Sequence, residues 1–306
     1  MREFEVVAVD DGSEDETGEV LARWAERDER VRLLRPGRVG LAQALHLGAE
    51  ACRGELIARF DADDVAHPRR LMEQVAFLRE RPDVAAAGTW IRYFPWDRVG
   101  WGGRRYQAWL NGLAGPGELA RDIFVECPIA HPTLAIRRNA LGAAGGYVAN
   151  GWAEDYDLLL RLHALGARLA NVPRVLHFWR EGEGRASRSD PRYSPEAFRR
   201  CKIEYLRRNE LAGRGALAIW GAGRVGKAFG RDLMEAGYRL AAFYDIDPRK
   251  IGQEIYGAPV RDAARIEARL DTYLLVAVGT AGARELIRER LECAGLGEPA
   301  DYRCVA

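Results

Sequence analysis

The chain has 306 residues, enough for two ordinary domains with a well-buried core. Its 46 basic and 45 acidic residues leave a net charge of +1, a balance that gives no field to favour nucleic acid or to exclude it; no nucleic-acid partner is expected. Five scattered cysteines (Cys52, Cys127, Cys201, Cys293, Cys304) form no close pair and no metal-ligand spacing, and no apolar run approaches a membrane span, which together exclude a disulfide-stapled secreted fold and a membrane-spanning one. The expected setting is the cytoplasm, with docking at the inner face of a membrane left open.

Phe4–Val9 (FEVVAV) reads as a strand that ends at Asp10-Asp11-Gly12-Ser13. Ser13 and Glu16 have capping-box spacing, which predicts a helix start there with Val20, Leu21 and Trp24 on one face. A short strand (Val31–Leu34), a turn and a helix (Leu41–Ala51) follow. Glu55–Pro68 (ELIARFDADDVAHP) then runs from an apolar strand into a carboxylate cluster, with a helix expected over 68–79 carrying Leu71, Val75 and Leu78 inward. Val84–Gly88 is another strand. This alternation predicts a mostly parallel sheet covered on both faces. The stretch 90–117 is less regular and rich in Trp, Tyr and Arg; most of these aromatics are expected to pack loops. The stretch 133–136 is apolar, further strands are expected at 167–172 and 175–179, and an amphipathic helix at 154–165 opens on acids, where its dipole favours them. The polar stretch 181–193 reads as a loop, 195–211 as a helix, and 213–215 as a linker.

The carboxylates carry the chemistry. On an extended segment Asp61 and Asp63 would project to the same side, just past a strand's C-terminal end, where open α/β sheets bind ligands. Adjacent carboxylates repel unless a cation lies between them, and hard oxygen ligands suit Mg²⁺ or Mn²⁺ shared with substrate phosphates. Asp is also common at turns and helix starts, and Asp64 has the position to cap the helix after Pro68.

The strings VVAVDDGSEDET, GELIARFDADDVAHPRRL, HPTLAIRRNAL and WAEDYDLLLRL, in this order, closely resemble the family 2 glycosyltransferases of GT-A fold over about residues 3–200. The resemblance implies an inverting, metal-dependent transfer from a nucleotide-diphosphate sugar to a glycan or lipid-linked acceptor, in surface polysaccharide or glycoconjugate synthesis. Asp155 would be the general base. Asp63, with Asp61, would hold Mg²⁺ or Mn²⁺ on the diphosphate, and Asp61 would otherwise meet the ribose. Asp11, with Asp10, would bind the nucleotide base; His131 and Glu154 would line the acceptor side. Asp155 as a plain helix-end acid and His131 as a packed loop residue are the competing readings. Members of the family usually begin with another strand and helix before the equivalent of Phe4, and that strand runs between the equivalents of Phe4–Val9 and Leu56–Phe60. Its absence would leave buried backbone groups unpaired at about 1–3 kcal/mol each.

A second α/β unit begins near Gly215. Gly221-x-Gly223-x-x-Gly226 follows a strand (216–220) and opens a helix (225–236), and Asp245 ends the next strand (240–244), which is the full setting of a dinucleotide fingerprint. Two further elements, a strand at 273–278 and a helix at 283–294, complete it. The string YDIDPRKIGQEIYGAPV resembles the Rossmann-like N-terminal domains of sugar acyltransferases, which implies a nucleotide or nucleotide-sugar ligand in preference to NAD(P); a ligand-free scaffold also fits. The expected architecture is α/β throughout: a GT-A domain at 1–200, a helix end and linker at 201–214, and a Rossmann-like domain at 215–306. The rival functions are a non-catalytic nucleotide-sugar-binding protein and an NAD(P)-dependent oxidoreductase acting through the C-terminal fingerprint. Donor, acceptor and oligomeric state are not legible.

Overall fold

A computed structural model describes residues 3–182, 189–266 and 271–306, so part of the stretch 181–193 expected as a loop lies outside the described residues. The chain gathers into two compact units, Met1–Ala120 with Pro128–Ser194, and Arg121–Cys127 with Pro195–Ala306.

The first unit holds two sheets. β1 (Val6–Val9) and β2 (Val31–Leu34) pair in parallel, Val6 opposite Val31 and Val9 opposite Leu34, flanked in sequence by α1 (Thr17–Arg27) and α2 (Leu41–Ala51). α1 starts four residues after Ser13 with no side-chain cap; the Ser13 amide instead donates to Asp10 Oδ1 at 2.9 Å, so the DDGS string makes a turn rather than a capping box. Next come β3 (Leu56–Ala58), β4 (Val65–Ala66), α3 (Arg70–Glu80), β5 (Val84–Phe94), α4 (Trp101–Leu110), α5 (Pro116–Asp122), β6 (Ala135–Arg137), α6 (Arg138–Ala143), α7 (Glu154–Ala164) and β7 (Arg168–Arg180). The second sheet has the order β3-β6-β5-β7-β4. It is mixed, not mostly parallel: only β5 and β7 run parallel, while β3–β6, β5–β6 and β4–β7 are antiparallel. Strands of two or three residues carry no signature of direction, and antiparallel neighbours need no helical crossover. The family resemblance places a strand between β1 and β3. Each of these stands at the edge of its own sheet, and among the described residues no strand joins the two.

β5 and β7 are the spine of this unit. The two strands expected at 167–172 and 175–179 are one, because the register steps from Thr89 opposite Val172 to Trp90 opposite Val175, leaving Pro173 and Arg174 in a bulge. Proline has no N–H to give the ladder, and a bulge is where a strand tolerates it. Leu78, Val84, Ala87, Ala135 and Ala170 pack at one end of the spine; Ile91, Tyr93, Val99, Leu110 and Ala130 pack at the other, with Tyr106, Trp109 and Trp179 against them. The irregular aromatic stretch is thus a longer strand and two helices, and Tyr93 stacks on Trp179 at 5.3 Å as packing requires. The buried stripe of α3 is Arg70, Gln74 and Leu78; Leu71 and Val75 are only half-buried.

In the second unit, α8 (Pro195–Arg208) leads to β8 (Ala216–Trp220), α9 (Arg224–Glu235), β9 (Arg239–Asp245), β10 (Glu254–Ile255), β11 (Ala258–Asp262), β12 (Tyr273–Val276), α10 (Ala283–Cys293) and β13 (Tyr302–Cys304). The sheet order is β10-β11-β9-β8-β12-β13, parallel except for the β10–β11 hairpin. Buried polar bonds bind residues 121–127 to it: Arg288 reaches Asp122 at 2.7 Å and Glu298 at 2.8 Å, and Lys202 Nζ donates to Val125 O at 2.9 Å.

The three glycines of the fingerprint do different jobs. Gly221 has φ +116°, and a Cβ there would lie 2.8 Å from Ala277 O. A Cβ on Gly226 would lie 1.7 Å from Gly221 O, so its absence is what lets α9 close onto β8. Gly223 has φ −90°, which any residue adopts, and a Cβ there would meet nothing within 4 Å. We therefore expect Gly226→Ala to destabilise this unit by about 3 kcal/mol, the cost of overpacking a site that cannot yield. Gly223→Ala should change stability by less than about 0.5 kcal/mol. Paired chemical denaturation curves check both, and equal effects would contradict the division of roles.

Candidate active site

The carboxylate cluster sits on a turn between β3 and β4. The Arg59 amide donates to Leu134 O at 2.8 Å, which fixes the exit of β3 beside the start of β6. The Asp64 amide then donates to Asp61 O at 3.2 Å, closing a turn. Asp61 and Asp63 do not converge by strand alternation, since β3 ends at Ala58; this turn brings oxygens of Asp61, Asp63 and Asp64 within 4.8 Å of one another.

The three are not equivalent. Asp64 is buried: its Oδ2 accepts from His177 Nε2 at 2.7 Å and its Oδ1 from the Arg180 amide at 2.7 Å. His177 Nδ1 faces Arg70 Nη1 at 3.2 Å. Arginine only donates, so Nδ1 accepts, Nε2 carries the proton, and the imidazole is neutral. Burial depresses the His177 pKa, against the opposing pull of the Asp64 hydrogen bond. Arg70 in turn donates to Arg59 O at 2.6 Å and Gln74 Oε1 at 3.1 Å, and Gln74 Nε2 donates to Ala87 O and Thr133 O, both at 2.8 Å. Burial lowers the Arg70 pKa to about 10. Asp64 is thus committed to β7 and is not a helix cap. Asp61 is half-buried and paired bidentately with Arg59; burial raises its pKa, Arg59 opposes, and Asp64 and Asp63 push it further up. Asp63 is exposed, with its carbonyl accepting from Arg180 Nε at 2.6 Å.

A second group of acids opens α7. Glu154 is 1 % exposed and accepts from the Tyr193 hydroxyl at 2.7 and 2.9 Å. Asp157 is 0 % exposed and accepts from Trp152 Nε1 and Arg161 Nε, each at 2.7 Å. Asp155 lies between them and is half-exposed, with one oxygen accepting from the Tyr156 amide at 2.7 Å. Of the three first-turn acids it is the least buried. His131 is 7 % exposed, bonded through Nε2 to Tyr147 Oη at 3.0 Å, with Nδ1 3.9 Å from Glu154 Oε1. Burial drives its pKa well below the ordinary value, with Arg59 adding to the effect, so it stays neutral. Burial raises the Tyr147 pKa, and the nearby Arg59 charge opposes that rise.

Asp10 and Asp11 end β1. Asp10 accepts from the Ser13 amide and lies 3.9 Å from Arg35 Nε. Asp11 accepts from the Val39 amide at 2.6 Å and the Gly40 amide at 3.0 Å, and so holds the turn that leads into α2. In the second unit, Gly221, Gly223 and Gly226 form the turn into α9, and Asp245 accepts from the Ala222 amide at 2.8 Å, the Asp247 amide at 2.9 Å and Lys250 Nζ at 3.0 Å. Burial would raise the Asp245 pKa, but these three donors bring it below the ordinary range.

Sequence reasoning missed Arg59, Arg70, Gln74, His177 and Tyr193. The available signal was the i, i+4, i+8 line Arg70-Gln74-Leu78, two polar side chains on the face that must bury. His177, inside the apolar run VLHFW, was a second.

The sequence profile described as Glycosyl transferase family 2 matches residues 1–143, and one described as CoA binding domain matches residues 214–295. The chain is 31 % identical to the Bacillus subtilis protein named putative glycosyltransferase EpsE over 198 residues, covering 63 % of this chain and 68 % of that one. It is 31 % identical over 180 residues to the Erwinia amylovora protein named amylovoran biosynthesis glycosyltransferase AmsE, covering 58 % of this chain and 65 % of that one. The matches thus span about two thirds of each relative's length. Among solved structures, S. aureus TarS in complex with UDP-GlcNAc shares the fold at TM-score 0.52 and 19 % identity, over 67 % of this chain and 58 % of that one. A turn that clusters Asp61 with Asp63, an acid-headed α7 and these relatives agree on one assignment: the chain belongs to glycosyltransferase family 2.

Proposed function

We propose that the chain transfers a sugar from a nucleotide-diphosphate sugar to a hydroxyl of a glycan or lipid-linked acceptor, with inversion, in surface polysaccharide or glycoconjugate assembly on the cytoplasmic side of a membrane. The observation that carries this is the contrast at the head of α7. Glu154 and Asp157 are buried, while Asp155 is half-exposed. In this reading the Asp155 carboxylate takes the proton of the acceptor hydroxyl as its oxygen attacks the anomeric carbon. The anomeric C–O bond breaks, and the diphosphate leaves with the electron pair. A base opposite the leaving group gives direct displacement and inversion. Glu154 and His131 act from behind, the one holding Tyr193 and the other Tyr147, and so set the wall of the acceptor side.

The donor set of the turn suits a hard divalent cation, being all carboxylate oxygens within 4.8 Å of one another. Asp63 and Asp61 would hold Mg²⁺ or Mn²⁺ while Asp64 stays on His177. Bound there, the ion would supply a Lewis acid for the negative charge that grows on the departing diphosphate. Asp11 keeps lone pairs beyond the two amides it already accepts from, which leaves it able to meet the imide N–H of a pyrimidine base.

For the second unit we propose a nucleotide-type ligand at the turn into α9. The space at Gly223, which neither φ nor neighbours require to be glycine, supports it. Three donors on Asp245 leave little acceptor capacity for a ribose hydroxyl, which weighs against NAD(P) and the oxidoreductase reading.

Three outcomes follow for the transferase site. Asp63→Asn should lower donor turnover by more than about 10²-fold, EDTA should abolish wild-type turnover, and Mn²⁺ or Mg²⁺ should restore it; full activity of metal-free enzyme would overturn the metal role. Asp155→Asn should leave donor affinity within a few-fold by calorimetry and cut transfer by about 10²–10⁴-fold, because the lost interaction exists only in the transition state. Unchanged transfer would remove the base assignment. His177→Leu should raise the metal concentration needed for half-activation by about 10–100-fold, with turnover recovering at saturating metal; a drop in melting temperature with an unshifted metal requirement would show that His177 only stabilises the fold.

A further inference from the structure

Two of the most exposed large side chains lie on one short segment at the end of β5. Trp96 is 48 % exposed and Trp101, the first residue of α4, is 72 % exposed. Arg104 spreads over the Trp96 ring at 4.8 Å and Arg105 over the Trp101 ring at 5.3 Å. Residues 92–105 carry Arg92, Arg98, Arg104 and Arg105 against the single acid Asp97, in a chain whose net charge is only +1. The segment borders the metal turn: Phe94 pairs with Arg180 across β5 and β7, the Arg180 guanidinium lies 4.6 Å over the Phe94 ring, and Arg180 Nε donates to Asp63 O.

We propose that this Trp–Arg surface is the membrane-docking face of the enzyme, and that its partner is a bilayer of anionic phospholipid. The inference rests on the lipid-linked acceptor of the proposed function for its purpose, though not for its physics. Tryptophan is the side chain that prefers the headgroup layer, and clustered arginine is attracted to anionic lipid. The rings are amphipathic rather than aliphatic. Four arginines against one acid complement an anionic headgroup surface. Arginine stacked on an indole keeps its charge while presenting one broad face, which suits insertion beside phosphate headgroups. Docked here, a bilayer would meet the chain next to Asp63.

Co-sedimentation of the full chain with vesicles tests this. With vesicles of phosphatidylglycerol and phosphatidylethanolamine, binding should exceed that to phosphatidylcholine vesicles by about tenfold or more, and should weaken as salt rises. Trp101→Ser and Arg98→Glu should each lower the partition coefficient, and the pair together by about tenfold or more, with circular dichroism unchanged. Equal binding to both vesicle types, undiminished binding of the double variant, or a solution dimer that the double variant dissolves would overturn the proposal, the last by assigning the face to a second copy. Hydrolysis of the donor in detergent-free buffer is measured alongside. Vesicle binding without donor turnover would defeat the transferase reading alone, and donor turnover without vesicle binding would defeat the docking face alone.

Discussion

The hydrogen bond from His177 to Asp64 is the constraint on which the site depends. Three aspartates within four residues repel one another, and left to itself such a turn would spread. One of the three is instead taken out of competition. Asp64 is drawn beneath the surface and held by a neutral imidazole and a main-chain amide of β7. The imidazole is fixed by Arg70, and Arg70 by Gln74 and the carbonyl of Arg59, so the turn is tied to α3, β5 and β7 together. Removing any one partner would strand a buried polar group, which costs more than the bond itself contributes. With Asp64 anchored, Asp63 is exposed and Asp61 half-buried against Arg59.

The same division recurs at α7. Glu154 and Asp157 are buried and bonded to Tyr193, Trp152 and Arg161, and they fix the first turn of the helix on which Asp155, the proposed base, is half-exposed. Arg59 pairs with Asp61, and its charge also bears on the His131–Tyr147 pair that backs Glu154.

Much of this was legible in the sequence, and the rest was hidden for identifiable reasons. Apolar runs bounded by turn residues located β1, β2, β3, β5, β7, β8, β9 and β12, while the shorter or more polar β4, β10, β11 and β13 went unread; the Gly221–Gly226 turn was read with its strand and helix in place. Strand direction was not readable, because three-residue strands such as β3 and β6 say nothing about which way a neighbour runs. The two pieces of β7 were read as separate strands because Pro173 looks like a break, whereas a bulge absorbs it. The aspartates that would bind and react were visible as motifs. Their holders were not, since a histidine inside VLHFW and a tyrosine in a polar stretch look ordinary until folding brings them to Asp64 and Glu154.

The central claim is that the turn around Asp61 and Asp63 is a cation site built to work on a diphosphate. Titration of the intact chain with Mn²⁺, followed by the electron paramagnetic resonance of the free ion, tests it without reference to turnover. The account predicts one site per chain in the first unit, lost in Asp63→Asn, whose affinity rises by about tenfold or more when a nucleoside diphosphate is present, because the ion's remaining positions are then filled by phosphate oxygens. Absence of a bound ion, or an affinity indifferent to the nucleoside diphosphate, would contradict it.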